Sequence, residues 1–404
     1  SLSDKISALK LRVSYGETGN SQFPNNFSAA FEFFPGYLGP DESLLTGVFP
    51  TRLENPDLKW ETTQELNFGL DFGFLNNKIS GSVEVFNKTV KDLLFVRQIN
   101  SYNPLTSVFA NVGSTQSKGV EVTLNTVNIQ KENFKWQTSF VFSKYDDRWK
   151  EREPDWKPSV FESVDDPIRA QFYYLSDGIM QAGDIVDAQP NLIPGQIKIK
   201  DVNGFVRDTA GNPVTDENGV FQRTGEADGI IDAADTVLLG TSDPDFIAGL
   251  TSILDYKNFS LTMQFNGMFG RQIVDPTDLA LGVSAEAVAT NGQNVLRNAL
   301  NRWTPDNPST TRPSSYYGYT VTNGSVGPGD FFLQDAWFVR LQNVSLSYRI
   351  PQKIFGVMNA ASIRLDAQNL FVITPYKGVD PETDSYSAAY PNVRTFTLGL
   401  DLKF

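Results

Sequence analysis

The stretch Arg394-Thr395-Phe396-Thr397-Leu398-Gly399-Leu400-Asp401-Leu402-Lys403-Phe404 decides the fold. Phe396, Leu398, Leu400, Leu402 and Phe404 share one parity, while Thr397, Gly399, Asp401 and Lys403 share the other. A period of two describes a strand with one apolar and one polar face. A soluble sandwich could present such a strand, but the chain stops on Phe404 with no polar tail and the alternation recurs along the whole sequence. The combination predicts an all-β fold, a transmembrane antiparallel β-barrel.

Composition narrows the choice. None of the 404 residues falls in an apolar run near the ~18 that a membrane helix needs, so a helical membrane protein is excluded. Aromatic content of 12% and 31 glycines suit a barrel, whose backbone bonds close between strands and whose aromatics form interfacial girdles. A net charge of −13 argues against a nucleic-acid partner, since nothing here neutralises a run of phosphates. The sequence contains no histidine and no cysteine. Ser-His-Asp and Cys-His catalysis and His-ligated zinc are therefore impossible. Paired carboxylates remain, but no pair among the 47 acids stands out, and the chain is expected not to be an enzyme.

Ser1 follows no charged and apolar leader, so a secretory signal is either removed or belongs to a longer chain. Leu9, Leu11, Val13 and Tyr15 form a first alternating strand, read as ending in a turn over Gly16 to Asn20. A long loop then runs to Trp60. Leu66, Phe68, Leu70, Phe72 and Phe74 lead through a tight Asn76-Asn77 turn to Ile79, Val83 and Val85, because Asn tolerates the positive φ of a hairpin. Further hairpins turn at Gln130 to Asn133, at Lys257-Asn258 and after Ile350, where Pro351 cannot extend a ladder. Long loops alternate with these turns, at roughly Asp92 to Lys118, Tyr145 to Phe246, Arg271 to Asp335 and Thr374 to Val393. Short turns on one rim and long loops on the other are the outer-membrane pattern, periplasmic and extracellular respectively. About ten strands result if Ile168 to Lys200 is an extracellular excursion without wall strands.

Several motifs carry a family resemblance. Ser14-Tyr15-Gly16-Glu17-Thr18-Gly19-Asn20, Asn55-Pro56-Asp57-Leu58-Lys59-Trp60-Glu61, Asn111-Val112-Gly113, Lys118-Gly119-Val120-Glu121 and the terminal aromatic strand occur in order over nearly the whole chain. Together they resemble the C-terminal part of a SusC/RagA-type TonB-dependent outer-membrane transporter. The resemblance implies that residues 1–404 supply about ten strands of a 22-stranded barrel, starting near its thirteenth, with the plug absent from this chain. It further implies a location in the outer membrane of a Gram-negative bacterium. The partners implied are outer-membrane lipid, a SusD-like surface lipoprotein, TonB acting on the plug, and oligosaccharide or peptide cargo. Function is then energy-coupled import of large nutrients. The alternatives are a passive, self-closed ten-stranded porin and a soluble glycan-binding or adhesin β-protein.

The largest loop holds the one metal-like constellation. Asp201-Val202-Asn203-Gly204 resembles the start of an EF-hand-type loop, and Asp228-Gly229-Ile230-Ile231-Asp232-Ala233-Ala234-Asp235 resembles its remainder. An insertion from Phe205 to Ala227 splits it, and Gly211-Asn212-Pro213 and Glu217-Asn218-Gly219 are turn signals that would let the insertion fold out. The expected ligands of one Ca²⁺ are Asp201, Asn203, Asp228, Asp232, Asp235 and the Ile230 carbonyl. Hard oxygen donors favour Ca²⁺, with Mg²⁺ the lesser choice. The plainer reading is a solvated acidic loop without an ion. Tyr316, Tyr317 and Tyr319 could stack on a sugar but read more simply as rim anchors, Trp303 reads as a packed residue on a short helix, and Trp149 and Trp156 have no interpretable spacing.

Overall fold

The computed structural model describes residues 5–20, 28–38, 44–99, 102–103, 105–154, 156–217, 219–283, 292–315, 327–351, 360–383 and 390–403. Tyr316, Tyr317, Tyr319 and Phe404 lie outside these residues. Ten strands form one antiparallel sheet in sequence order. They are β1 (Ile6–Asn20), β2 (Glu61–Phe74), β3 (Ile79–Lys91), β4 (Ser114–Lys131), β5 (Phe134–Glu151), β6 (Phe246–Tyr256), β7 (Phe259–Phe269), β8 (Phe338–Ile350), β9 (Ala360–Ile373) and β10 (Thr395–Lys403). Among the described residues β1 and β10 each pair with one neighbour only, so the ladder that a self-closed ten-stranded pore requires is not formed.

Register follows the sequence pattern. Leu11, Leu70, Val83, Val122 and Phe142 lie opposite one another across β1 to β5. One residue further along, Arg12, Gly69, Glu84, Glu121 and Ser143 form the next row and point to the other face. A slip by one residue would exchange the faces, and the apolar pattern forbids it. Apolar side chains of the first face are left open, with Leu11 73% and Leu398 75% exposed. The sheet is thus a wall, greasy on one side and polar on the other, with no core of its own. Aromatic contacts mark both edges of the greasy band: Phe259 on Tyr348 near the short turns, and Phe246 on Phe269 near the long loops, each with centroids 4.6 Å apart.

The short turns depart from expectation in detail. The β2–β3 turn spans four residues, Leu75 to Lys78, with positive φ at Leu75 (53°), Asn76 (57°) and Asn77 (60°), rather than two asparagines alone. In the β6–β7 turn the positive φ falls on Lys257. The turn expected over Gly16 to Asn20 does not exist: β1 continues, pairing Gly16 with Glu65 and Asn20 with Glu61. Glycines and small polar residues read as a turn because they lose the apolar alternation. They lose it because the ladder has left the greasy band, and the backbone pairing itself continues.

Long connections all leave the opposite rim, and they carry small sheets of their own. Ala30–Leu38 pairs with Leu44–Arg52, and Leu94–Gln98 with Ser107–Asn111. Within the largest connection Ala170–Tyr173 pairs with Val237–Thr241 and Ser176–Ile179 with Ile197–Ile199, so Ile168 to Lys200 adds no wall strand. Buried Ile197, Ile199 and Phe332, with Ile231, Val274 and Leu279 packed on them, make an apolar core where two loops meet.

Candidate functional site

On the polar face the charges are paired across strands. Arg12 of β1 donates from Nε and Nη2 to Asp71 of β2 at 2.9 and 2.8 Å, and from Nη2 to Glu84 of β3 at 2.8 Å. Asn67 supports Glu84 through its Nδ2 at 3.3 Å. Gly69 makes room, since a Cβ there would come within 2.9 Å of the Arg12 guanidinium carbon. The arrangement shares one cation between two anions on a half-open wall, which suits a water-filled passage rather than a reaction centre.

The acidic loop folds around its insertion. Residues 205–227 form a small meander with bridges Phe205 to Arg223, Arg207 to Pro213 and Thr215 to Phe221, and the Thr224 N–H donates to the Gly204 carbonyl at 2.9 Å. The two halves of the split motif are thereby brought together. Asp201 accepts the N–H groups of Asp228 and Gly229 at 3.2 and 2.6 Å. Asp235, fully buried, accepts those of Val202, Asn203 and Asp232 at 2.8, 3.0 and 2.9 Å. Asp232 caps the short helix that follows, Asp228 accepts the Ile230 N–H, and Asn203 accepts from Gly204 and Gly225. Ile230 faces solvent while Ile231 inserts into the loop core. The donors are all hard oxygens, as Ca²⁺ would need. Yet among the described residues no three carboxylates converge into a ready metal cluster, because backbone amides hold them. Burial pushes the Asp235 carboxyl pKa up, against the lowering pull of the Asp232, Val202 and Asn203 amides.

Three further contacts fix the loops and escaped sequence reasoning. Asn111 binds the backbone of Lys59, joining two of the motifs quoted above across 52 positions. Arg340 of β8, almost fully buried, donates to both carboxylate oxygens of Asp380 at 2.8 and 2.9 Å and pairs with Glu382 at 2.7 Å. Arg152 lies between two indoles, 4.6 Å from the Trp149 centroid and 4.5 Å from that of Trp156. A signal for the last existed, an Arg between two Trp, but the bend after β5 that closes the stack did not show in the spacing. Trp303 is buried as expected beyond a short helix, its indole N–H on Gln181 at 3.2 Å.

A protein-family profile described as "TonB dependent receptor-like, beta-barrel" matches residues 2–195. The chain carries a TonB-dependent receptor-like β-barrel domain over residues 2–195. It is 28% identical, over its whole length, to 40% of TonB-dependent receptor P3 of Formosa agariphila. It is 29% identical over 99% of its length to 38% of TonB-dependent receptor SusC of Bacteroides thetaiotaomicron. The RagAB peptide transporter has the same fold, with a TM-score of 0.72 at 24% identity over 99% of this chain and 41% of that one. These relatives are receptors and transporters, not enzymes. The chain therefore spans about 40% of the length of the TonB-dependent receptors it matches, and its place is the outer membrane. In such a barrel the greasy face meets lipid and the Arg12 network faces the lumen.

Proposed function

We propose that this chain provides barrel wall and extracellular loops for TonB-driven import of large nutrients across the outer membrane, together with a SusD-like surface lipoprotein over the loops. One observation carries the reading: ten strands with a lipid-compatible face, a polar face with cross-strand ion pairs and every long loop on one rim. Cargo is an oligosaccharide or an oligopeptide. TonB acts on a plug supplied outside these residues. The test is uptake by cells carrying the full-length protein. Labelled oligosaccharides and oligopeptides are offered with and without TonB, and with and without the neighbouring lipoprotein. Uptake of one cargo class that collapses without either partner supports the reading. Uptake that persists without TonB points to passive diffusion instead.

The acidic loop supports a second, structural reading, in which Asp201, Asn203, Asp228, Asp232, Asp235 and the Ile230 carbonyl hold one Ca²⁺. What favours it is the reunion of Asp201 with Asp228 and Gly229 across the insertion. Binding would turn these carboxylates from the backbone amides toward one ion, whose charge would then order the loop.

A further inference from the structure

At the outer edge of the greasy band, between β2 and β5, lies a groove of about 500 Å³ that the import reading leaves unused. Leu66, Phe68, Val85 and Val120 form its apolar part, and Lys118 and Lys144 its charged part. Register settles which way it opens. Phe68, Val85, Val120 and Lys144 lie in one cross-strand row, and Leu66, Asn87, Lys118 and Asp146 in another row of the same parity. Both rows belong to the greasy face, so the lysines point toward lipid and not into the lumen.

Depth gives the lysines a role. On β5 the greasy-face residues counted from the short-turn rim are Phe134, Trp136, Thr138, Phe140 and Phe142, and Lys144 comes next. About 9 to 11 residues of strand cross the hydrocarbon. Lys144, and Lys118 directly above Val120, therefore stand where lipid head groups of the outer leaflet begin. Asp146 beside them is already taken by Arg148 at 2.7 Å, whereas neither lysine makes an ion pair among the described residues. Two free ammonium groups over a slot lined by aliphatic and aromatic side chains match an amphiphile with an anionic head and a hydrocarbon tail. A zwitterionic lipid would leave the charge unmatched, and a soluble anion would leave the slot empty.

We propose that this groove binds a phosphorylated lipid of the outer leaflet, its phosphate between Lys118 and Lys144 and an acyl chain along Leu66, Phe68, Val85 and Val120. The site is independent of cargo and of the acidic loop. Its test uses the purified full-length protein in mild detergent, titrated with dioleoyl phosphatidic acid or dioleoyl phosphatidylcholine and read by native mass spectrometry. The wild type retains phosphatidic acid preferentially, and Lys118→Gln with Lys144→Gln lowers that retention by about fivefold per lysine. Val85→Phe, which fills the slot and spares the charges, also lowers it. Lys5→Gln with Lys78→Gln, at the short-turn rim, leaves it unchanged. Equal retention of the two lipids by the wild type, equal loss in the rim control, or full retention by Val85→Phe would each overturn the assignment.

Discussion

Asn111 grips the backbone of Lys59 from both sides, its Oδ1 accepting the Lys59 N–H at 2.7 Å and its Nδ2 donating to the Lys59 carbonyl at 2.8 Å. The same amide donates to the Asp92 carbonyl at 2.7 Å, and Asn55 returns a bond to Phe109 at 2.8 Å. The entrances to β2 and β4 and the exit from β3 are thus clasped together where the wall meets the loops.

Asn111→Ala removes three bonds and leaves the Lys59 and Asp92 groups to find water. It is expected to cost about 1 to 3 kcal/mol of local stability. Hydrogen exchange over residues 55–61 and 107–113 of the full-length protein should quicken while the centre of β4 stays protected. Asn111→Asp keeps the acceptor only and should fall between the two. Unchanged exchange in the alanine variant would show that the clasp contributes nothing.

Gly69→Ala places a methyl group against the Arg12 guanidinium and should lower the temperature at which the barrel loses its compact electrophoretic form. Arg12→Ala removes the obstacle. Combined, the two substitutions should cost less than their sum, a coupling that separate sites do not show.

Arg340→Ala leaves the buried Asp380 and the half-buried Glu382 without their cation, and breaking a buried pair typically costs about 3 to 5 kcal/mol. Proteolysis within residues 374–394 should accelerate first, ahead of any loss of the wall. Arg340→Lys should recover only part of the resistance, since an ammonium cannot reproduce the two-oxygen grip on Asp380.

Removing calcium with EDTA should speed cleavage between Asp201 and Asp235, and Asp228→Ala should do the same with calcium present, while barrel assembly is unaffected. Identical cleavage with and without the ion would assign the loop's order to its backbone bonds alone.

The wall was legible in the sequence because a face in lipid must be apolar at every second residue, as in Phe396 to Leu402 or Leu66 to Phe74. That rule lapses above the band, and with it went the correct end of β1: Gly16 to Asn20 reads as a turn by composition although each residue has a partner on β2. Loop contacts were hidden for a different reason. Asn111 with Lys59, Arg340 with Asp380 and Arg152 with its two indoles depend on where separate segments fold back, and no periodicity encodes that. In the acidic loop, the turn signals allowed the insertion to fold out, and its bridges form. The amide-bound state of Asp201 and Asp235 was not foreseeable from carboxylate spacing.

β4 and β5 each run for 18 residues, whereas β6 and β7 stop at 11 and β10 at nine. At about 3.4 Å per residue the taller pair exceeds its neighbours by roughly 24 Å along the strand. The outer rim of these ten strands is accordingly stepped, high at β4 and β5 and low at β6 and β7. The largest connection leaves the wall at Glu151 and rejoins it at Phe246, beside Ile247 opposite Ser143, so it comes down a step of that height against the flank of β5.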